Sequence, residues 1–593
     1  MLFSNRHIAT LIAALAVSTA SFAQPTPVEK SFLEWEQYTG PEERDLSVPE
    51  DTYVISILSQ KDLEELSSAI IMAIKQGQTD IEVIIKPGVL RYDRPPVFLS
   101  EIDAGKVTVS IKGDNTVLVA GGKDYDNGGL ITSPSRNRIY LDDKLNLIEL
   151  YGDVIQADGA VEIIDRKEKL CRVAVSGHFE YSPGMRMQLS EWYKSPIYKV
   201  TEIKDGFVYF IADDLKYDNS KKCYNVQYDN TIASMNPRFR FVEVDKAQSY
   251  EGSIHECSVT QFAKLNRVKL RAFSISGISF NGGAKGQEAF FSFRDVEAEK
   301  ICISGCRFEN ILPRIVSMRK TGHFIFKDNI VRNCYAGAFY SDQDCPEIIV
   351  KNNYFYRAEK GWTNSSCVVC YGVDFLIADN VFEDVAYSSI RTGYHLSRGD
   401  VIVSKGVIEN NEIFFGDEYY SHPEKYSLVD GGAIYIGTLT RLAVVRYNHI
   451  HNYRGTKSNR AVYCDDGAMN VKIYGNVISG ITNAHSMFSW KSTSVNKKYP
   501  ESNDGIDVYY NVIWGNYKFE ERSNSSCIHG KNLILYAEGE KEPENVLKNF
   551  AYKEKDLVFP GVTLENGKMK LPASAKRELR KFPTYAKMKH YIE

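Results

Sequence analysis

From about residue 275 onward, apolar residues recur in a fixed frame, apolar-x-x-N-x-apolar, and nine copies align. They run from ISGISF (275–280) through ISGCRF, FKDNIV, VKNNYF, IADNVF, IENNEI, VRYNHI and IYGNVI to VYYNVI (508–513). The fourth positions are Ile278, Cys306, Asn329, Asn353, Asn380, Asn411, Asn448, Asn476 and Asn511, spaced 23 to 37 residues apart. A floor with variable excess describes a coil of fixed size plus loops of free length. Seven asparagines in one register predict a ladder inside a turn, each side-chain amide bonding the next coil. Asn suits such a turn because it tolerates left-handed backbone. The first apolar positions, from Ile275 to Val508, should then form an inward row. The fold class predicted is all-β, a right-handed parallel β-helix.

Outside that frame the pattern changes. Residues 1–23 carry Arg6, an apolar run and Ser21-Phe22-Ala23, which reads as a secretory signal peptide cleaved before Gln24 and predicts a secreted or periplasmic protein. Residues 24–130 are assigned to an N-terminal cap and the first coils. Within them, 59–76 has helical periodicity and polar N-cap residues, as expected of a helix closing the open end of a solenoid. From 131 to 264 short strands alternate with polar turns and no Asn frame, which predicts a β-rich insertion. Residues 265–539 form the β-helix with its active face, and 540–593 a C-terminal cap ending in a short helix.

Composition narrows the function. The chain has 593 residues, 43% hydrophobic and 25% charged, with a formal charge of −4 and no basic block, so the electrostatic footprint of a nucleic-acid binder is missing. No stretch after the signal approaches the ~20 apolar residues of a spanning helix. A monomer is expected. The eleven cysteines are odd in number, and several fall at inward strand positions, which suits small buried apolar residues. Cys367-Val-Val-Cys370 has knuckle spacing but no second pair, so no metal site is assigned.

One copy of the repeat differs chemically. GGAIYIG (431–437) and RAVYCDD (460–466) share a layout, and only the second carries adjacent aspartates. Strand alternation turns Ile434, Ile436, Val462 and Cys464 inward, and Tyr435, Tyr463 and Asp465 outward. SSIRTG places Arg391 level with the tyrosines and Gly393 level with Gly437. MFSWKS places Lys491 beside Asp465. Two glycines next to a carboxylate suggest room for a substrate, with His395, Asp430 and His451 from adjoining turns as walls. The bland reading is that Asp465 pairs with Lys491 on a solvated surface and Asp466-Gly467 is an ordinary turn.

GGAIYIG, YNHIHNY and AVYCDDGAMNVKIYGNVI together resemble the secreted bacterial, pectate-lyase-like β-helix enzymes that degrade polysaccharides, and are most similar to glycoside hydrolase family 141. The likeness covers about 270–515 and not 131–264. It implies hydrolysis of a glycosidic bond in a plant or microbial polysaccharide. Such chemistry needs one carboxylic acid to protonate the leaving oxygen and one carboxylate to attack or stabilise the oxocarbenium ion. Asp465 is the candidate base or nucleophile; Asp466 is the first candidate acid and Asp430 the second. Arg391, His395, Tyr435, Tyr463, Lys491 and His451 are candidate substrate contacts, and no cofactor is needed. A lyase acting on a uronate-containing glycan would use Arg391, Tyr435, Tyr463 or Lys491 instead, with Ca²⁺ as a possible partner. A non-catalytic glycan-binding solenoid is the third reading.

Overall fold

A computed structural model describes residues 25–46, 51–92, 94–120 and, between intervals at turns and loops, 261–592; from 131 to 244 it describes strands and a few adjoining residues. The body is a right-handed parallel β-helix. Its coils build three ladders of parallel strands. The first ladder passes through Phe339–Ser341, Val368–Cys370, Ile390–Thr392, Gly432–Ile436, Arg460–Cys464 and Phe488–Trp490. The second includes Ser404–Glu409, Thr440–Arg446, Val471–Tyr474 and Asp507–Tyr509. The third includes Glu412–Phe414, His449–His451 and Val477–Ile481.

The inward row is as the repeat predicts. Ile275, Ile303, Phe326, Val350, Ile377, Ile408, Val445, Ile473 and Val508 stand in direct register from coil to coil and are fully buried. Stacks of identical chemistry line the interior, including Phe326, Phe355 and Phe382 with near-parallel rings. Parallel strands buried this way gain from continuous apolar contact rather than from alternation alone.

Between the second and third ladders runs the asparagine ladder. The Oδ1 of Asn448 accepts from the backbone N–H and the side-chain amide of Asn411 (3.1 and 2.9 Å). Its own amide donates to Ile408 O, Arg446 O and Asn476 Oδ1. The same scheme repeats from Asn329 to Asn511. One detail of the expectation is corrected: the ladder asparagines are not left-handed. The residue before each one is, as in Asp328, Asn352, Asp379, Asn410, Tyr447 and Tyr510, all with φ between 50° and 60°. The left-handed step turns the next N–H along the solenoid axis, where only the following coil's amide oxygen can meet it.

The ladder also runs further than the repeat predicts. Asn532 continues it, and Asp556 ends it by accepting from Asn532 N and Nδ2 (both 3.0 Å). The other carboxylate oxygen of Asp556 bonds His529 Nε2 at 2.7 Å. His529 stands in register with Val508, in a row that is apolar in every earlier coil.

Helices α2 (Gln60–Glu64) and α3 (Leu66–Lys75) occupy the predicted cap, with Ser59 as N-cap accepting from Asp62 N. Their Leu63, Leu66, Ile70 and Ala73 complete the main core. Residues 25–46, grouped above with that cap, lie elsewhere. Helix α1 (Pro27–Glu36) docks on the outer face of the second ladder, where Ser31 bonds Asp507 and Tyr509, and Glu36 accepts from Tyr447. The chain then passes Leu376 at Gly40 and pairs Arg44 with Glu347, running back toward the early coils. The long strands Val97–Ala120 and Ala263–Asn281 pair directly in parallel, so the intervening segment is inserted between two adjacent coils. Its strands Glu162–Asp165, Leu170–Ala174, Arg186–Gln188, Ile197–Lys204, Phe207–Ile211 and Arg238–Val244 belong to one antiparallel sheet, and Lys216–Asp218 pairs separately with Cys223–Asn225. Helices α4 (Ala573–Leu579) and α5 (Tyr585–Ile592) pack with Tyr447 and Tyr510 in a satellite core. Among the described residues no helix is long and apolar enough to cross a membrane.

Asn448→Ala deletes five hydrogen bonds and strands buried partners in both neighbouring coils; at 1–3 kcal/mol per unsatisfied group, the unfolding free energy should fall by about 3 kcal/mol or more in urea denaturation. A loss under ~1 kcal/mol would contradict the ladder's role. The end of the ladder predicts a pH dependence. Burial pushes the Asp556 carboxyl up, but His529 and the Asn532 donors outweigh it and hold it below the ordinary 3.8. A depressed carboxyl stabilises the fold above its unfolded pKa, and that contribution is lost as the pH falls through 3.8 and below. Asp556→Asn keeps a ladder acceptor and should flatten this acid limb of the stability curve.

Candidate functional site

The first ladder carries most of the sequence-predicted site residues because alternation forces every second side chain out of an apolar interior. Ile434, Ile436, Val462 and Cys464 belong to the main core, as predicted, and Tyr435 and Tyr463 project from the opposite face. Arg391, Tyr435 and Tyr463 are in direct register on three successive coils. They do not form an open surface, however. Tyr435 is 6% and Tyr463 0% exposed, so this outward face is covered.

The two tyrosine rings meet edge to face at 4.9 Å. The Arg391 guanidinium sits 4.5 Å from the centre of the Tyr435 ring and 5.8 Å from that of Tyr371. Arg460 lies 4.0 Å over Tyr463. Such cation–π contacts strengthen when water is excluded, and they keep two positive charges beside the tyrosines.

Asp465 is the first residue beyond strand Arg460–Cys464. Its N–H donates to Ile436 O at 2.7 Å, which extends the ladder by one bond, and Ala468 N–H returns to its carbonyl at 3.3 Å. The chain therefore leaves the strand direction at Asp465, the condition under which neighbouring carboxylates need not face opposite sides. The side chain is buried, and the Tyr435 hydroxyl donates to Oδ2. A carboxylate buried at 3% exposure is not the solvated surface pair of the bland reading. Burying it without a hydrogen-bond partner would cost several kcal/mol, so the Tyr435 hydroxyl offsets part of that cost.

The structure thus brings together Arg391, Tyr435, Tyr463 and Asp465. Sequence reasoning missed Arg460, since alternation groups position 460 with the inward 462 and 464, while its guanidinium in fact covers Tyr463. His451 is placed elsewhere. It lies on the third ladder, with Nε2 3.0 Å from Glu412 Oε1, and is not a wall beside Asp465. Asp466, Asp430, His395 and Lys491 lie outside the described residues; the last pair in register before Lys491 is Cys464 with Trp490.

The glycines need a different explanation from the one first given. A Cβ on Gly393, at φ +82°, would stand 2.4 Å from Gly437 O, and one on Gly437 would stand 3.0 Å from Thr392 O. These residues are glycine so that two coils can approach closely, and the space is filled by backbone. The cysteines, by contrast, are as expected: Cys367 and Cys370 are fully buried in the main core, where burial drives the Cys370 thiol far above its usual range.

No protein family and no curated protein matches the chain. Among solved structures, one titled "Glycoside hydrolase" aligns at 10% identity over 90% of this chain and 99% of its own, with a TM-score of 0.37. The A-module of the mannuronan C-5 epimerase AlgE6 of Azotobacter vinelandii aligns at 12% over 85% and 96% (TM-score 0.36). The surface adhesin PfbA of Streptococcus pneumoniae aligns at 9% over 86% and 94% (TM-score 0.34). Likenesses this distant carry no functional conclusion.

Tyr435→Phe removes a buried donor from Asp465 with little change in packing. The unfolding free energy should fall by about 1–3 kcal/mol in urea denaturation. A change below ~0.5 kcal/mol would mean that the hydroxyl does not hold the carboxylate.

Proposed function

We propose that the chain is a secreted or periplasmic carbohydrate-active enzyme, monomeric, that hydrolyses a glycosidic bond in a plant or microbial polysaccharide, as the resemblance to glycoside hydrolase family 141 implies. The observation that carries this reading is a buried Asp465 held by Tyr435, with Arg391 and Arg460 against the tyrosines of the same ladder. A fixed, water-poor carboxylate at a strand end is suited to serve as nucleophile or base toward an oxocarbenium-like transition state. Asp466, its neighbour in sequence, is assigned as the acid, with Asp430 as the substitute. About 5 Å between the paired carboxyls would give retention, and about 6.5 to 9.5 Å inversion. Lys491 and His395 are assigned as further substrate contacts.

The paired arginines and tyrosines favour a second reading, elimination from a uronate. There a guanidinium neutralises the sugar carboxylate, and a tyrosine removes the adjacent proton. Two guanidiniums each within 5 Å of a tyrosine ring are the observation behind it.

Asp465→Asn separates the two. The amide can still accept from Tyr435, so the fold should persist by circular dichroism. Under the hydrolase reading kcat falls by about 10²–10⁴-fold or more. Retention of near-normal turnover by the Asn variant, together with its loss in Tyr463→Phe, would replace hydrolysis with elimination.

A further inference from the structure

We propose that Glu412, His449 and His451 form a binding site for a divalent transition metal, zinc by its chemistry, on the outer face of the third ladder under the C-terminal helix. The site is independent of the reading given to Asp465. It arises from the repeat itself. In strand His449–His451 the central Ile450 points into the core, so both histidines project outward, and the register sets Glu412 of the preceding coil opposite His449.

The three donor atoms lie within 4.8 Å of one another. His451 Nε2 is 3.0 Å and His449 Nδ1 is 3.4 Å from the same oxygen, Glu412 Oε1. Ligands bound at ~2.0–2.2 Å around a tetrahedral zinc are separated by roughly 3.3–3.5 Å, so the 3.4 Å contact has the length of a coordination edge and the 3.0 Å contact is a few tenths of an ångström shorter. A hydrogen-bonded trio explains them less well. Only His451 bonds the carboxylate; His449 Nδ1 is buried, directed toward the same oxygen, and makes no hydrogen bond. A nitrogen that reaches its carboxylate neighbour only at 3.4 Å is better placed to give its lone pair to an ion held between them than to make a strong hydrogen bond.

The surroundings hold the donors in place. His449 and His451 stack at 4.1 Å, Phe414 stacks on His451 at 4.8 Å, and Tyr591 of α5 stacks on His449 at 4.6 Å. Packing that fixes ring orientation is the role that outer-shell groups play at metal sites. Two nitrogens and one oxygen make a borderline donor set that suits zinc rather than calcium. Three protein ligands leave a fourth position for water. Because the ligands span two coils and Tyr591 covers one of them, an ion there would tie the coils together beneath the C-terminal helix.

The test uses the full chain, stripped with a chelator and titrated with Zn²⁺ and with Co²⁺. One equivalent should bind, the cobalt form should show the intense visible bands of a four-coordinate ion, and zinc should raise the thermal midpoint. X-ray absorption of the zinc form should show two imidazoles and one carboxylate in the coordination shell. Glu412→Gln and His451→Ala, each checked for fold by circular dichroism, should weaken binding by about 100-fold or more. Failure of the wild-type chain to bind either ion at micromolar metal would overturn the proposal. So would variants that bind as tightly as wild type, or an absorption spectrum dominated by sulfur.

Discussion

Each coil of this protein must turn between its second and third strands, and it does so through one left-handed residue that leaves the next N–H pointing along the axis. The asparagine side chain is the group that meets it. It matches the peptide in carrying an acceptor and donors a fixed distance apart, so it can accept from one coil while donating to another. Because Oδ1 of each rung accepts twice from the rung before, neighbouring coils are locked in one register. A slip of a single residue would reverse every side chain between core and exterior. The inward row, the tyrosine column and the placement of Arg391 all depend on that lock.

The repeat made most of this legible. An apolar position three residues before each asparagine predicted the core row, and strand alternation in GGAIYIG and RAVYCDD predicted the outward tyrosines. What escaped has physical causes. The last rungs were hidden because His529 occupies an apolar position and Asp556 an asparagine position, a buried pair satisfying at the end of the solenoid what further coils satisfy elsewhere. Helix α1 was missed because its partners, Asp507, Tyr509 and Tyr447, are more than 400 residues away and nothing local announces them. The glycines were assigned to open space when the reason for them is backbone contact, which a sequence does not distinguish. The HIH of strand His449–His451 reads as a simple alternation until the register sets Glu412 against it.

The candidate site shows how a structural scaffold comes to hold a buried carboxylate. Neighbouring coils present Arg391, Tyr435 and Tyr463 at one level, and the coil that ends in Asp465 adds a carboxylate at the point where the chain leaves the ladder. There the backbone bond to Ile436 still fixes its position while the side chain is free of the strand's alternation. Burial makes the local electrostatics strong, so a hydroxyl donor and nearby guanidiniums matter more here than they would on an exposed face. The same ladder order that aligns these groups also sets the limit on what they can reach, since coils repeat at ~4.8 Å and only two or three can share one sugar ring.

Reaction class is the claim on which the functional account rests, and product mass reads it most directly. The wild-type chain, incubated with a panel of plant and microbial glycans, should release fragments whose summed mass exceeds that of the substrate by one water, with no new ultraviolet absorbance. Fragments that gain no water and carry the absorbance of an unsaturated uronate would contradict hydrolysis at Asp465.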